Sequence, residues 1–378
     1  MWEIPYALTL NHTVEEVLDN CVGAETGEKR LQFLEEKAHL RLALEEGDTS
    51  ETLFLPNKKP LKQFIKEADF VFMGLHGGIG ENGTLQAMLT EAGVRFNASG
   101  AKASALCMDK DETGKVLAGM EEDGIFTAPK KSCLVQSFAG FGRKAYADFF
   151  AQVQNELQCR TVIVKPQDEG CSSGIVRLRD AQDLEVYMKF ASSGAVQIPA
   201  GSFKGQKDPV EMPLQLMKRV LFEQFIEVDT VRVKANKLKW KRKKGWIEVT
   251  VGVLEEKGKL HALSPSLTVA EGEVLSVEEK FQGGTGVNMT PPPISLVKPE
   301  ILKKVKQRIE KVAQRLGIQG YCRIDTFMHV DTGDIIVLEA NTMPALTPST
   351  VLFHQGLAEA KPLWPLDLLE KLIENKGY

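Results

Sequence analysis

The residues whose types and spacing could support chemistry are concentrated near the carboxyl end of the chain, in residues 320–349. Alternating apolar and polar side chains predict two strands there, Arg323 to Val330 and Asp334 to Asn341. Between the strands, a three-residue turn places Gly333 at the position that needs a positive φ. The segment is therefore predicted to be a β-hairpin whose register is set by its turn.

This register decides which side chains share a face of the hairpin. It predicts three cross-strand pairs, which are Val330 with Asp334, Asp325 with Glu339, and Arg323 with Asn341. Because side chains alternate between the two faces of a strand, the last two pairs form one polar block. The opposite face is expected to join the core through Ile324, Ile336, Leu338 and Ala340.

The polar block has the composition of a metal and anion site. Carboxylates held this close together need a bridging cation, and Mg²⁺ prefers oxygen ligands from carboxylates and substrate phosphates. We therefore expect Asp325, Glu339 and Asn341 to bind the metal, while Arg323 holds anionic oxygens of a substrate. The alternative interpretation is an exposed hairpin with a solvated charged face.

Two further segments could bind anions. The predicted strand 68–75 is followed by His76 to Gln86, HGGIGENGTLQ, and glycines between a strand and a helix can receive a ligand. Lys165 ends the predicted strand 160–165 beside a loop rich in glycine and serine, which would suit a phosphate. A plain turn is the alternative for the first segment, and a hairpin loop with a solvent-seeking lysine is the alternative for the second.

Three other stretches bear on ligand binding. Lys110 lies in a predicted helix, 101–120, where the alternative is an ordinary surface lysine. A predicted strand carries Glu223 and ends near Asp229, and these acids could hold adenine and ribose or only solubilise a sheet edge. The segment 263–293 is a long loop, and loops of this length are usually functional lids.

Composition limits the partners and the compartment. The 378 residues are expected to form two or three lobes, and the net charge of -4 gives no reason to expect nucleic acid. The basic run Lys237 to Lys244 could bind nucleic acid, but a solvated hairpin is favoured in an acidic chain without an aromatic repeat. No apolar run reaches membrane-spanning length, and the first residues predict no secretory signal. Scattered cysteines without a C-x-x-C pair are typical of reduced thiols in a cytoplasmic compartment.

The motifs between residues 68 and 355 together resemble a known family. They are, in order, HGGIGENGTLQ, MDK, VKP with EGCSSG, EQFI, KFQGGTG, RID and LEANTMPALTPS. This set resembles the D-alanine-D-alanine ligase family of ATP-grasp enzymes, and its form is similar to one unit of the plant-type tandem ligases. The resemblance implies an α/β ATP-grasp fold with an N-terminal Rossmann-like pre-ATP-grasp domain. It also implies domain boundaries of 1–98 for the N-terminal substrate domain, 99–222 for the central subdomain, and 223–378 for the C-terminal subdomain with the metal site and lid.

The resemblance also implies roles for individual residues. ATP would be held by Lys110, Lys165, Glu169, Gly170, Cys171, Ser172, Glu223, Phe225, Ile226, Asp229 and Lys280. The amino-acid substrates would meet His76, Phe281, Ala345, Ser349 and Thr350. Mg²⁺, with Mn²⁺ as a second candidate ion, would be bound by Asp325, Glu339 and Asn341. Catalysis would involve Arg323, Ser172, His76, Lys280 and a glutamate at position 15 or 16, Glu15 or Glu16.

Several residues depart from the family pattern. The usual N-terminal Gly-Gly-x-Ser-x-Glu signature is not evident, so either Glu15 or Glu16 would have to hold the ammonium group of the first substrate. Cys171 replaces the usual first serine of its loop, and Thr230 stands where the family places a glutamate for the ribose. Phe281 replaces the usual lid tyrosine, which leaves the second substrate open between D-alanine and a hydroxy acid such as D-lactate.

The implied reaction joins two D-alanine molecules through an acyl phosphate, forms ADP, and serves the synthesis of peptidoglycan precursors for the cell wall. Two alternatives remain: a ligase for D-alanine and D-lactate or for another dipeptide or depsipeptide, and a non-catalytic ATP-binding unit. ATP and D-alanine are the expected partners, without nucleic acid or membrane, and a homodimer is left open. The expected compartment is the cytoplasm, or a plastid in an organism that has plastids.

Overall fold

The computed structural model describes residues 1–4, 16–17, 33, 36–37, 56–74, 77–168, 173–234, 237–269, 287–347 and 350–374. These residues divide into two compact units, Met1–Asp69 and Phe70–Tyr378. The predicted domain boundaries at 98/99 and 222/223 stay predictions. Within the described ranges, no helix is long and apolar enough to cross a bilayer.

The smaller unit contains a short sheet and a helix. Its strands β1 (Trp2–Glu3) and β2 (Asn57–Lys58) pair in antiparallel fashion, and helix α1 (Leu61–Glu67) follows them. The ammonium group of Lys59 lies 2.9 Å from a carboxylate oxygen of Glu67, at the end of α1. This ion pair ties the helix to the segment that precedes it.

The larger unit mixes helices and strands along the chain, which confirms the predicted α/β class. Its described helices are α2 (Gly78–Glu81), α3 (Thr84–Glu91), α4 (Ala101–Met108), α5 (Lys110–Leu117), α6 (Arg143–Glu156), α7 (Ala181–Ser193), α8 (Pro299–Arg315), α9 (Val351–Leu357) and α10 (Pro365–Glu374). Its described strands are β3 (Phe70–Val71), β4 (Arg95–Phe96), β5 (Ile125–Thr127), β6 (Lys130–Leu134), β7 (Val162–Pro166), β8 (Val176–Leu178), β9 (Gln197–Ile198), β10 (Val210–Glu211), β11 (Arg219–Gln224), β12 (Thr230–Lys234), β13 (Lys237–Lys241), β14 (Trp246–Glu256), β15 (Lys259–Ala262), β16 (Ser266–Val269), β17 (Val287–Met289), β18 (Tyr321–His329) and β19 (Ile335–Asn341).

The largest sheet has seven strands and contains the predicted hairpin, β18 and β19. Its order is β17-β16-β14-β18-β19-β5, and β15 pairs with β14. The amphipathic helix α8 packs against this sheet because Val305, Ile309 and Val312 recur at helical spacing on one side of it. All three are fully buried in the largest hydrophobic cluster of the described residues.

A second sheet has four antiparallel strands in the order β6-β11-β7-β8. Helices α6 and α7 contribute to its hydrophobic cluster, in which Val162, Val164 and Val220 are fully buried. The segment RTVIVK was predicted to be a buried strand, and β7 confirms it with a shift of its ends to Val162–Pro166. The neighbouring strands β6, β11 and β7 carry the polar residues described below.

The helix predicted over 101–120 is wrong as a single element, because it is two helices that meet at Asp109. The backbone of Asp109 is extended, with φ -86° and ψ 103°. Its carboxylate accepts hydrogen bonds from the backbone amides of Asp111 at 2.9 Å and Glu112 at 3.1 Å, so Asp109 caps α5. Lys110 consequently occupies the first turn of a new helix and not the middle of a long one.

The polar pairs predicted for the hairpin are confirmed. Asp325 on β18 stands opposite Glu339 on β19, and Arg323 stands opposite Asn341. Gly333 in the turn has the predicted positive φ, at 72°. The positive φ in the turn and the polar pairs at the other end of the hairpin therefore agree with the prediction.

The predicted register between these two ends is wrong. A β-bulge places Thr326 opposite Val337, so that Leu338 is the additional residue on β19. From the bulge to the turn, pairing is displaced by one residue, and the predicted pair of Val330 with Asp334 is not formed. The additional residue in the bulge offsets the change of register at the turn, so the predicted polar pairs still form.

The bulge also changes which side chains of β19 enter the core. A shift of one residue moves side chains to the opposite face of a strand. Ile335 and Val337 belong to the largest hydrophobic cluster, together with Ala340. The expectation is confirmed for Ile336, which is 8% exposed although it lies outside that cluster, and it is wrong for Leu338, which is only half-buried.

The basic run Lys237 to Lys244 forms β13 and the turn after it, and β13 pairs with β12 in the predicted hairpin. Two of its cations have acidic partners. Arg242 is paired with Asp331, and the ammonium group of Lys243 lies 3.6 Å from Glu227. These ion pairs agree with the interpretation of a solvated hairpin.

Candidate active site

Two lysines and one glutamate meet on the four-stranded sheet. Glu223 on β11 stands opposite Lys130 on β6, and Lys165 on β7 stands opposite Leu221, two residues from Glu223. The three charged side chains therefore share one face of the sheet. The Lys165 ammonium donates a hydrogen bond of 3.1 Å to Oε1 of Glu223, and the Lys130 ammonium lies 3.6 Å from Oε2.

All three side chains are buried, with exposed fractions of 9% for Lys130, 7% for Lys165 and 6% for Glu223. The alternative of a lysine reaching to solvent therefore does not hold for Lys165. Burial lowers the pKa of Lys130, the Glu223 carboxylate opposes that shift, and the Lys165 ammonium adds to it. The cluster is a buried site of positive charge, which suits an anion.

Lys110 joins this cluster from α5. It is 6% exposed, so it is not an ordinary surface lysine, and its ammonium lies 3.8 Å from Oε2 of Glu339. Its backbone carbonyl accepts a hydrogen bond of 3.1 Å from the Lys130 ammonium. Burial lowers the pKa of Lys110, while Glu339 opposes the shift and Lys165 adds to it. Lys110 thus lies between the lysines of the small sheet and the acids of the hairpin.

The polar block of the hairpin is buried, which excludes the solvated alternative. The exposed fractions are 5% for Arg323, 2% for Asp325 and 7% for Asn341. The Arg323 guanidinium donates from Nε and Nη2 to the two oxygens of Asp325, each at 3.1 Å, and lies 4.0 Å from Oε1 of Glu339. Burial acts to lower the pKa of Arg323, but the carboxylates of Asp325 and Glu339 outweigh it and raise the pKa. Arg323 is therefore a permanent cation at this site.

The block fits a hard divalent cation. Asp325, Glu339 and Asn341 offer carboxylate and amide oxygens from paired positions of two strands, and these are the ligands that Mg²⁺ prefers. Within the described residues, the buried Nδ2 of Asn341 has no hydrogen-bond partner. The described part of the chain holds no group of three His, Cys, Asp or Glu side chains that could bind a metal, so the amide and substrate oxygens would have to complete the coordination.

The glycine-rich segment leads into the same cleft. Glu81, at the end of α2, is 4% exposed and accepts a hydrogen bond of 3.0 Å from the backbone amide of Gly77. Together with Lys110, Glu339 and Asn341, Glu81 lines one cleft. The segment thus contributes one side chain to the cleft, and its ligand-binding role stays a prediction beside the alternative of a plain turn.

Comparisons with known proteins agree with this geometry. The family model described as D-ala D-ala ligase C-terminus matches residues 241–374, which include the hairpin. The D-alanine–D-alanine ligase of Halalkalibacterium halodurans is 27% identical over 285 residues, which cover 75% of each chain. That of Pelotomaculum thermopropionicum is 27% identical over 362 residues, which cover 93% of this chain and 91% of the relative. Over most of its length the chain is therefore similar to D-alanine–D-alanine ligases.

A solved structure agrees on the fold. The D-alanine–D-alanine ligase of Bacillus anthracis, complexed with ATP, matches with a TM-score of 0.55 and 19% sequence identity. The match covers 84% of this chain and 81% of that one. The ATP-grasp fold predicted from the sequence is therefore confirmed, while the likeness to plant-type tandem units stays a prediction.

Asp229, which is predicted to contact the nucleotide, accepts hydrogen bonds from β13 and from the turn after it. Its Oδ1 accepts hydrogen bonds from the backbone amides of Lys243, Lys244 and Gly245 at 2.8, 3.0 and 2.9 Å, and its Oδ2 accepts one of 2.9 Å from the Trp240 indole. Burial acts to raise the pKa of Asp229, but these hydrogen bonds outweigh it and lower the pKa. These hydrogen bonds stabilise the hairpin, and the predicted contact of Asp229 with the nucleotide stays a prediction.

Other predicted residues of the ligase site have described positions but untested roles. Phe225 and Ile226 follow β11 and are half-buried, and the Arg177 guanidinium lies 3.7 Å from the ring centroid of Phe225. Thr350 is 7% exposed and immediately precedes α9, and Ala345 is half-buried. Their assignment to nucleotide or substrate stays a prediction.

Several predicted residues lie outside the described part of the chain. They are Glu15, His76, Glu169, Gly170, Cys171, Ser172, Lys280, Phe281 and Ser349. Glu16 is described as an exposed helical residue of the smaller unit. The roles that the family resemblance implies for these residues stay predictions.

The sequence does not single out Gln167, which links the two lysine-bearing elements. Its Nε2 donates to both carboxylate oxygens of Asp109, at 3.1 and 2.9 Å, and its Oε1 accepts a hydrogen bond of 3.1 Å from Arg219. Gln167 lies just beyond the end of β7, whereas Asp109 caps the helix that begins at Lys110. The bond therefore fixes the start of α5 relative to the strand that carries Lys165.

Thr250 is a second residue that the sequence does not single out. It lies on β14 opposite Asp325, and its hydroxyl donates a hydrogen bond of 2.8 Å to Oδ1 of that carboxylate. Gln355 on α9 is fully buried and holds the same strand, since its Nε2 donates to the Thr250 carbonyl at 2.7 Å and its Oε1 accepts from Gly252 at 2.9 Å. Helix α9 thus stabilises the strand that orients a predicted metal ligand.

Proposed function

We propose that this chain is an ATP-dependent, ADP-forming ligase that joins two D-alanine molecules to supply a precursor of peptidoglycan. The observation that carries the proposal is the juxtaposition of Lys110 and Glu339, at 3.8 Å, between a buried lysine cluster and a buried block of metal-ligand type. Curated relatives that match most of this chain and carry the name D-alanine–D-alanine ligase support it.

The lysine cluster accounts for nucleotide binding. Lys110 and Lys165 are buried cations, and a lysine ammonium can bind a phosphate as a point charge. Asp325, Glu339 and Asn341 would hold Mg²⁺, which when bound neutralises phosphate charge and fixes the phosphate oxygens. The site therefore separates phosphate binding by the lysines from metal binding by the hairpin.

The reaction proceeds in two steps. The carboxylate of the first D-alanine attacks the γ-phosphorus of ATP, the bond to the β-phosphate oxygen breaks, and an acyl phosphate and ADP form. The amine of the second D-alanine then attacks the acyl carbon, phosphate leaves with the electron pair of the broken C–O bond, and the amine loses its proton. Rate acceleration in such transfers comes mainly from positioning and charge stabilisation.

Arg323 is the residue of this chain that best suits the charge stabilisation. Its guanidinium stays protonated, and Asp325 fixes its orientation through two hydrogen bonds of 3.1 Å. A fixed cation beside the metal ligands can stabilise the oxyanion that develops when the acyl carbon is attacked. The arrangement supports a catalytic role for Arg323 and a dual role for Asp325 in binding metal and holding Arg323.

The test is product analysis with the purified chain, ATP, Mg²⁺ and D-alanine, with and without D-lactate. The proposal expects D-alanyl-D-alanine by mass spectrometry, with ADP and phosphate released in equal amounts. A depsipeptide with D-lactate as the only product would replace it by the alternative acceptor. ATP binding without any ligated product would replace it by the non-catalytic ATP-binding unit.

A further inference from the structure

Lys130 has no role in the family resemblance, yet it lies at the centre of the lysine cluster. Its side chain is 9% exposed, and its ammonium lies 3.6 Å from Glu223 and 3.1 Å from the carbonyl oxygen of Lys110. The next residue, Lys131, differs from Lys130 in its exposure and in its ion-pair partner. It is more exposed, and its ammonium pairs with Glu156 at 2.6 Å, away from the cluster.

The contact with Glu223 bears on the charge of Lys165. Glu223 carries one negative charge and presents one oxygen to Lys165 and the other to Lys130. If Lys165 were its only partner, the ion pair would be nearly neutral and would attract a phosphate weakly. Because Lys130 shares the carboxylate, positive charge remains for an anionic ligand.

The contact with Lys110 bears on the position of α5. The carbonyl oxygen of Lys110 belongs to the first turn of the helix, and the bond from Lys130 ties that turn to β6. Space for this contact exists because residue 114 is glycine. A Cβ atom there would lie 3.1 Å from both Cε and Nζ of Lys130. A glycine in the middle of a short helix lowers helix stability, and here it lets the lysine reach its partners.

We propose that Lys130 is a positioning residue for nucleotide binding. Lys130 shares the charge of Glu223 and holds the start of α5. Both contacts keep Lys165 and Lys110 available to the phosphates of ATP. The inference rests on the proposed function only in that the ligand is ATP. Lys130 would be a third lysine of the ATP site, and it would act through its contacts with Glu223 and α5 without binding the phosphates directly.

The experiment measures the equilibrium Kd of ATP without D-alanine, and the KM values and kcat with D-alanine, for the wild type and Lys130→Met. We expect the Kd and KM of ATP to rise about tenfold, the effect of losing one charge-assisted contact. The KM for D-alanine and the kcat at saturating ATP should change much less. Lys131→Met is the matched control, and it should leave the Kd of ATP unchanged.

A second pair of variants separates positioning from folding. In a Glu223→Gln background, Lys130→Met should weaken ATP binding much less than in the wild type, because Lys130 acts partly through that carboxylate. If Lys130→Met does not fold, Lys130→Gln keeps a donor for the Lys110 carbonyl while it removes the charge, and it should weaken ATP binding as well. A folded variant that loses thermal stability but binds ATP like the wild type would overturn the inference.

The two proposals fail in different ways. Weaker ATP binding by Lys130→Met in a chain that makes no dipeptide would support the role of Lys130 and reject the ligase. Dipeptide formation with an unchanged Kd of ATP in the variant would support the ligase and reject the role of Lys130. A wild-type chain that does not bind ATP would reject both.

Discussion

Thr250 and Asp325 are joined across two neighbouring strands by a hydrogen bond of 2.8 Å from the threonine hydroxyl to the carboxylate. The same oxygen of Asp325 also accepts a hydrogen bond of 3.1 Å from Arg323. Two donors fix the orientation of the carboxylate, and loss of a neighbour that orients a metal ligand typically lowers metal affinity by about 10- to 100-fold. The hydroxyl of Thr250 should therefore be measurable in metal binding.

Thr250→Val removes only this hydroxyl and preserves the shape of the side chain. We expect the Mg²⁺ concentration that gives half-maximal ATP binding to rise about tenfold, within the range for such supporting residues. Titration of ATP binding with Mg²⁺, or of Mn²⁺ binding by electron paramagnetic resonance, measures this without turnover. Thr250→Ser keeps the hydroxyl and should behave like the wild type, whereas equal loss in both variants would point to packing.

Asp325→Asn tests the metal assignment itself. The amide keeps the volume but loses the charge that pairs with Arg323 and would bind Mg²⁺. We expect ATP-dependent phosphate release to be abolished and the melting temperature to fall, because removing one partner of a buried ion pair costs about 3 to 5 kcal/mol. Circular dichroism verifies that the variant is folded at the assay temperature. Phosphate release at the wild-type rate would refute the role of Asp325 as a metal ligand.

The hairpin shows where prediction from the sequence succeeds and where it fails. The placement of Arg323 and Asp325 on one face follows from strand alternation, which is local, and the positive φ of Gly333 follows from its place in the turn. The bulge does not follow, because residues 335–338 are Ile, Ile, Val and Leu, and this run fits the core equally well in either register. Only packing against the rest of the sheet decides that Ile335 and Val337 join the largest hydrophobic cluster.

Lys130 shows a second limit. Lys130 and Lys131 are adjacent on one strand, so they must point to opposite faces. Which of them meets Glu223 depends on pairing between β6 and β11, which are far apart in the sequence. By contrast, the break at Asp109 could be predicted, because an aspartate followed by further acids is typical of a helix N-terminus.

Gly114→Ala should change protein stability and ATP binding in opposite directions. Alanine favours the helical conformation of α5 by about 0.5 to 1 kcal/mol over glycine, so the unfolding free energy should rise by roughly that amount. The new methyl group must displace the end of Lys130, which is 3.1 Å away, so ATP binding should weaken. Denaturant unfolding and ATP titration measure the two effects, and a rise in both stability and ATP affinity would contradict the prediction.

The matched control for Gly114→Ala is the same substitution in a Lys130→Met background. Without the ammonium, the methyl group has no cation to displace, so the Kd of ATP should be the same with glycine and with alanine at position 114. The gain in unfolding free energy should persist, because it belongs to the helix. A further loss of ATP affinity in this background would mean that the methyl group acts on another part of the site.

The dependence of ATP binding on pH tests the charge of Lys130. Burial lowers its pKa from the usual 10.5, with Glu223 and Asp111 opposing and Lys165 adding to the shift. ATP favours the charged form of Lys130, so the affinity for ATP should fall as the pH rises through the lowered pKa of this lysine. The fall should occur at a lower pH than the titration of an exposed lysine. Isothermal titration from about pH 7 to about pH 10 measures the fall. In Lys130→Arg, the guanidinium stays charged, and the fall should begin at higher pH.

The stability of the ligand-free chain should respond to pH with the opposite sign. Since the pKa of Lys130 is lower in the folded chain than in the unfolded chain, the unfolded chain binds more protons between the lowered pKa and 10.5. The unfolding free energy therefore gains a contribution that increases with pH across this window. Lys130→Met lacks this contribution. As the pH rises, the unfolding free energy of the wild type should therefore increase relative to that of the variant. A difference that does not change with pH would show that Lys130 has the same pKa in both states.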